Sequence, residues 1–184
     1  DVPSLAAAWA RLPEAATALS AEGVGGRDVA AVISRELGAL TRRAGELAAL
    51  ALASEGHGDA PCRYALCVLG SAGRGESLLA MDQDNAIVFE RGEVGGKADR
   101  WFAMLGERVA DILHEVGVPY CSGGVMAKNA QWRGSVETWR NRIAGWVAQA
   151  RPEDLLSVDI FFDLNAVQGD TDLAYDLWHF AFDA

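Results

Sequence analysis

Between Tyr64 and Phe89 the chain runs through a short apolar stretch, breaks it with glycine, and sets two aspartates two positions apart ahead of a second apolar stretch. Tyr64–Leu69 (YALCVL) is nearly continuously apolar, the pattern of a strand buried on both faces. Gly70–Gly75 (GSAGRG) is a glycine-rich turn, and Glu76–Ala80 is expected to hold a short helix. Asp84–Glu90 reads as a second strand with Ile87, Val88 and Phe89 at its heart. The segment thus presents a strand, then Gly-Ser, then a loop, then Asp-x-Asp leading into another strand.

The hydrophobic period is different on either side of this segment. Leu5, Trp9, Leu12, Ala16 and Leu19 recur at helical spacing, with Pro13 expected to kink or restart the helix. Gly23, Gly25 and Gly26 mark a turn, Asp28 reads as an N-cap, and Val29, Ile33, Leu37, Leu40, Ala44, Leu47 and Ala51 form a second stripe. Downstream, 97–116, 135–149 and 170–183 read as helices, Pro119–Met126 as an extended, glycine-broken segment, and Leu155–Val167 as a third strand. The expected fold class is α+β: an N-terminal helical pair packed on a small mixed sheet with flanking helices. The expected division is a helical segment over 1–58 and a catalytic domain over 59–184.

Charge narrows the function classes. The chain of 184 residues has a formal net charge of −10, with 26 acidic against 16 basic side chains. An acidic surface repels a phosphate backbone, which disfavours nucleic acid as a partner. A single nucleotide carried in with a divalent metal is compatible with it, because the ion inverts the local field. No apolar run approaches the roughly 20 residues of a membrane-spanning helix, so no membrane partner is expected. The three cysteines (Cys62, Cys67 and Cys121) are odd in number and sit in apolar surroundings, as small buried residues in a reduced, cytoplasmic compartment do. His57, His114 and His179 show no metal-ligand spacing. A first residue of Asp rather than Met is the start expected of a piece of a longer chain.

The chemistry lies in the carboxylates. Residues two apart on a strand point to one face, so Asp82 and Asp84 aim at a common spot while Gln83 points away. Two carboxylates held together repel unless a cation sits between them. Magnesium takes hard oxygen ligands, typically one or two carboxylates plus phosphate oxygens, and paired ions clamp the entering and leaving oxygens of a phosphoryl displacement. Gly70 lets backbone N–H groups approach a phosphate, and the Ser71 hydroxyl adds a donor. Arg74 either holds a phosphate or pairs with Glu76. In Leu155–Leu164, Asp159 and Asp163 are four apart; Asp163, between Phe162 and Leu164, is the favoured third ligand and general base, with Asp159 in reserve. Lys128 and Arg133 face a phosphate or solvent. Trp132, Trp139 and Trp146, at a spacing of seven, read as core or interface aromatics, with Trp132 also open to base stacking.

Gly-Ser, a following Asp-x-Asp and a later apolar-Asp-apolar segment resemble the DNA polymerase beta nucleotidyltransferase superfamily. The fuller set is Gly70–Glu76, Asp82–Val88, Pro119–Asn129, Trp132-Arg133, Trp139 and Ile160–Asp163 with Gly169-Asp170. It is similar to the nucleotidyltransferase domains attached to CBS and cyclic-nucleotide-binding modules in bacterial signalling proteins, relatives of the uridylyltransferase that modifies PII. The resemblance covers about residues 30–180. It implies transfer of a nucleoside monophosphate from a nucleoside triphosphate to an acceptor, with a protein acceptor expected. The metal would be Mg2+ (or Mn2+) on Asp82, Asp84 and Asp163, and the nucleotide would sit against Gly70, Ser71, Arg74 and Lys128. In a longer chain the partners would be CBS or cyclic-nucleotide-binding domains. Two positions depart from the family pattern: Met81 where a small polar residue is common, and Asn165 where Arg is common.

Other readings fit less well. Gly70–Ser77 imitates a P-loop, but Glu76 stands in the lysine position and would repel the phosphates. The competing function class is a catalytically silent module that binds nucleotide or a protein partner; loss of a metal-binding carboxylate would favour it, and all three candidates are present.

Overall fold

The structure, a computed structural model, describes residues 1–149 and 152–183. Three helices open the chain: α1 (Val2–Ala10), α2 (Leu12–Ala21) and α3 (Gly26–Ser54). Asp1 caps α1 by accepting from the Ser4 N–H at 2.9 Å. Pro13 falls in the first turn of α2, where its missing N–H breaks no helical bond, so the helix restarts there rather than bending. Asp28 is not the N-cap of α3. That position is Gly25, and Asp28 lies in the first turn, where its charge complements the helix dipole.

Four strands follow among the remaining helices: β1 (Tyr64–Val68), β2 (Asn85–Phe89), β3 (Arg133–Ser135) and β4 (Asn165–Gly169). They form one mixed sheet in the order β3-β2-β1-β4, with β1 antiparallel to β2 and β4, and β2 parallel to β3. The helices between them are α4 (Gly70–Arg74), α5 (Lys97–Val116), α6 (Val136–Gln149) and α7 (Pro152–Phe162), with α8 (Thr171–Asp183) after β4. No helix among the described residues is long and apolar enough to cross a membrane.

The apolar run of β1 is explained by two cores. Leu66 and Val68, with Ile87 and Phe89 of β2, pack against α3 and α5. Ala65, Cys67 and Leu69, with Ala86 and Val88, point the other way into a cluster built from α6, α7 and α8. Alternate residues serve opposite faces, so Ala65–Val68 and Ala86–Phe89 are apolar on both. Trp132, Trp139 and Trp146 meet Phe161 in the second core, and Trp139 Nε1 donates to the Ile87 carbonyl at 3.1 Å. Trp132 is 3% exposed, which removes it as a stacking platform for a base.

Two expected elements are different in the structure. Residues 76–80 are irregular, with a bend at 79–80, rather than a helix; the helix lies one step earlier, at Gly70–Arg74. The stretch expected as one strand over Leu155–Val167 is helix α7 to Phe162, a turn at Asp163, and then β4 from Asn165. A short apolar run carries no decisive period. Here the helix wins because it delivers Phe161 to the tryptophan cluster. Asp159 is accordingly an exposed helical residue, and Asp163 sits at the helix exit instead of within a strand.

Candidate metal and nucleotide site

The topology concentrates chemistry at one sheet end. Val68, the last residue of β1, is opposite Asn85 at the start of β2 and opposite Asn165 at the start of β4. The chain therefore leaves β1 into Gly70 where Asp84 and Asp163 enter the two flanking strands.

Asp82–Asp84 is positioned by its neighbours. Gln83 is 1% exposed; its N–H donates to the Pro119 carbonyl, and its Nε2 donates to the Ala110 and Val118 carbonyls. Asn85 is also buried; its N–H donates to the Val125 carbonyl, and its Oδ1 accepts from the Ala127 N–H. With 83 and 85 anchored to one side, Asp82 and Asp84 share the other. The Asp84 carbonyl accepts from the Leu69 N–H at 3.0 Å, which locks the aspartate beside the glycine turn. Gly70 has φ +56°, and a Cβ there would lie 2.9 Å from Asp84 Oδ2. Only glycine permits both the left-handed backbone and the contact.

The third member of this group was not anticipated. Single ligand atoms of Asp82, Asp84 and Cys121 lie within 4.8 Å of one another, all three residues being half-buried. Burial pushes the Asp84 carboxyl up from its ordinary 3.8 to about 6; the Cys121 thiol opposes that shift and the Asp82 charge adds to it. Burial, reinforced by Asp84, pushes the Cys121 thiol up to about 11. Its approach to Asp84 is a long-range contact that periodicity cannot reveal. The expectation of three buried apolar cysteines holds for Cys67, whereas Cys62 and Cys121 are half-buried.

Asp163 is not in this group; its carboxylate contacts Arg74 Nη1. Burial raises the Asp163 carboxyl while the Arg74 guanidinium opposes the rise. Arg74 Nε also reaches Glu76 at 3.0 Å, so the arginine is held by both acids. A Cβ on Gly73 would fall 1.6 Å from the Asp163 carbonyl oxygen, so glycine is what lets α4 rest on the Phe162–Leu164 turn. Ser71 lies half-buried in the first turn of α4, where helical N–H groups lack intrahelical acceptors.

Lys128 stands with its Nζ 4.1 Å from the centre of the Tyr120 ring, on the same loop as Cys121. Arg133 is turned inward, away from bulk solvent. It is 10% exposed, pairs with Asp99 at 2.9 Å, and donates to the Ala127 and Lys128 carbonyls.

A sequence model of the family described as Putative nucleotidyltransferase DUF294 matches residues 10–153. The matched span contains Gly70, Ser71, Arg74, Asp82, Asp84, Cys121 and Lys128; Asp163 lies beyond it. No match to a curated protein was found.

Proposed function

The chain belongs to this nucleotidyltransferase family, and from that premise we propose that it moves a nucleoside monophosphate from a nucleoside triphosphate to an acceptor, releasing pyrophosphate. The observation that carries the reading is the meeting of Asp82 with Asp84, whose carboxylate lies beside the left-handed Gly70 at the exit of β1. The donor set fits a divalent cation: two acidic side chains held together, one at the cost of burial, are relieved by positive charge between them.

Asp82 and Asp84 hold Mg2+ (or Mn2+) in this reading. The ion, when bound, neutralises phosphate charge and polarises the phosphorus under attack. Gly70 and Ser71 offer backbone N–H groups, and Ser71 its hydroxyl, to the phosphate chain. Arg74 turns a guanidinium toward a phosphate once it is released from one of its two acids, and Lys128 supplies a second cation. Asp163, paired with Arg74 rather than grouped with Asp82 and Asp84, is assigned as the base for the acceptor hydroxyl instead of as a third ligand. The acceptor class that fits an acidic protein is a protein hydroxyl in bacterial signalling, in line with the resemblance to PII-modifying enzymes and CBS-linked domains. The compartment is the cytoplasm. Segment 1–58 serves as a structural arm of the catalytic domain over 59–184.

One observation favours a second reading. Arg74 is already neutralised by Glu76 and Asp163, as suits a module that binds nucleotide without turning it over. Calorimetric titration of ATP, GTP, CTP and UTP, with and without Mg2+, tests the shared premise. Mg2+-dependent binding is expected in the wild type and is expected to vanish in Asp82→Asn/Asp84→Asn. Equal binding by the two proteins would refute the site. Pyrophosphate release in the presence of acceptor then separates the enzyme from the silent module.

A further inference from the structure

We infer that Cys121 is the third protein ligand of the metal centre, and that the centre prefers a thiophilic divalent cation such as Zn2+ or Co2+ to Mg2+. The inference rests on the reading of Asp82 and Asp84 as metal ligands and adds a claim about which ion they share with sulfur.

The geometry is imposed by the fold. The loop from Pro119 to Asn129 is hydrogen-bonded to both neighbours of Asp84: Pro119 O accepts from Gln83, Val125 O accepts from Asn85, and the Ala127 N–H donates to the Asn85 side chain. Within it, the Gly124 N–H closes onto the Cys121 carbonyl at 3.1 Å, and the Asn129 side chain donates to Gly124 O at 2.7 Å. Gly124 has φ +74°, which makes that turn a glycine position. These contacts fix the loop from which the Cys121 Sγ lies within 4.8 Å of a carboxylate oxygen of each aspartate. The other thiols are elsewhere: Cys67 is fully buried in β1, and Cys62 donates to the Arg91 carbonyl at the opposite end of the sheet.

The donor set decides the ion. Mg2+ demands oxygen ligands and gains nothing from sulfur, whereas thiolate ligation selects later first-row ions. Zn2+ accepts both thiolate sulfur and carboxylate oxygen, and three protein ligands leave it a position for substrate. On binding, the Sγ–H bond breaks, its proton passes to solvent, and the electron pair left on sulfur forms the metal bond; no atom changes oxidation state.

The test is a Co2+ titration of the metal-free chain, read by the near-ultraviolet thiolate-to-cobalt charge-transfer absorbance, with Zn2+ calorimetry in parallel. The band is expected in the wild type and in Cys62→Ser. It is expected to be absent in Cys121→Ser, whose Zn2+ affinity should fall about tenfold or more. Circular dichroism checks that the variants fold. Co2+ binding without the band, or a band that survives in Cys121→Ser, would overturn the role of Cys121 and leave the carboxylate site standing. No binding of Co2+ at all would overturn both.

Discussion

Asp84→Asn is expected to weaken Mn2+ binding by about a hundredfold or more while leaving the metal-free protein no less stable than the wild type. The magnitude follows from the chemistry of metal sites, where loss of an outer-shell partner alone costs about 10–100-fold and loss of a ligand costs at least as much. The stability follows from linkage. The Asp84 carboxyl rises from 3.8 to about 6 on folding, so the folded state holds its proton more tightly than the unfolded state. Its contribution is fully present below the unfolded value and is lost as pH rises through the folded one. Urea midpoints of the metal-free wild type should therefore carry a term that falls from about pH 4 to about pH 6, and Asn should remove it. Glu46 and Glu90, held low by their arginines, act in the opposite direction. The difference between variant and wild type, rather than either curve alone, isolates Asp84. A variant that binds Mn2+ as tightly as the wild type would remove Asp84 from the site.

Asp99→Ala is expected to cost about 3–5 kcal/mol, because it leaves the Arg133 guanidinium buried without its counter-charge. The pair is 10% and 11% exposed, and Asp99 also accepts from the Gly95 N–H at 2.8 Å. Arg133 fastens the Ala127 and Lys128 carbonyls, and the Ala127 N–H is one of the anchors of Asn85. The substitution should therefore loosen the loop that carries Cys121 and weaken metal binding as well. Urea denaturation measures the first effect. The double substitution Asp99→Leu with Arg133→Met should recover much of the loss, since replacing both partners of a buried pair removes the orphaned charge. A cost below about 1 kcal/mol for Asp99→Ala would show that the pair is solvated in solution.

The sequence carried the elements whose period is unambiguous. The stripe from Trp101 to Val116 becomes α5 with the expected limits, and the apolar run after Arg63 becomes β1 because both of its faces are buried. Asp82 and Asp84 were legible as a pair because two-residue spacing fixes a shared face in any extended segment. Leu155–Val167 reads as a strand in sequence because aromatic and branched residues fit a strand as well as a helix, and only the tryptophan cluster formed by distant residues decides for the helix. The Asp159/Asp163 spacing of four is one turn of α7 rather than two strand repeats, which moves Asp163 to the helix exit beside Arg74. Cys121 and the burial of Arg133 were illegible for one reason: each is defined by partners more than 30 residues away, Asp84 for the first and Asp99 for the second.

The central claim is that Asp82 and Asp84 hold the cation that accompanies a nucleoside triphosphate. The most direct measurement is a crystal structure of the chain with Mn2+ and a non-hydrolysable nucleoside triphosphate, with manganese located by anomalous scattering. The account predicts manganese coordinated by carboxylate oxygens of both Asp82 and Asp84, with the phosphate chain against Gly70 and Ser71. Manganese or nucleotide bound elsewhere, with these carboxylates left uncoordinated, would contradict it.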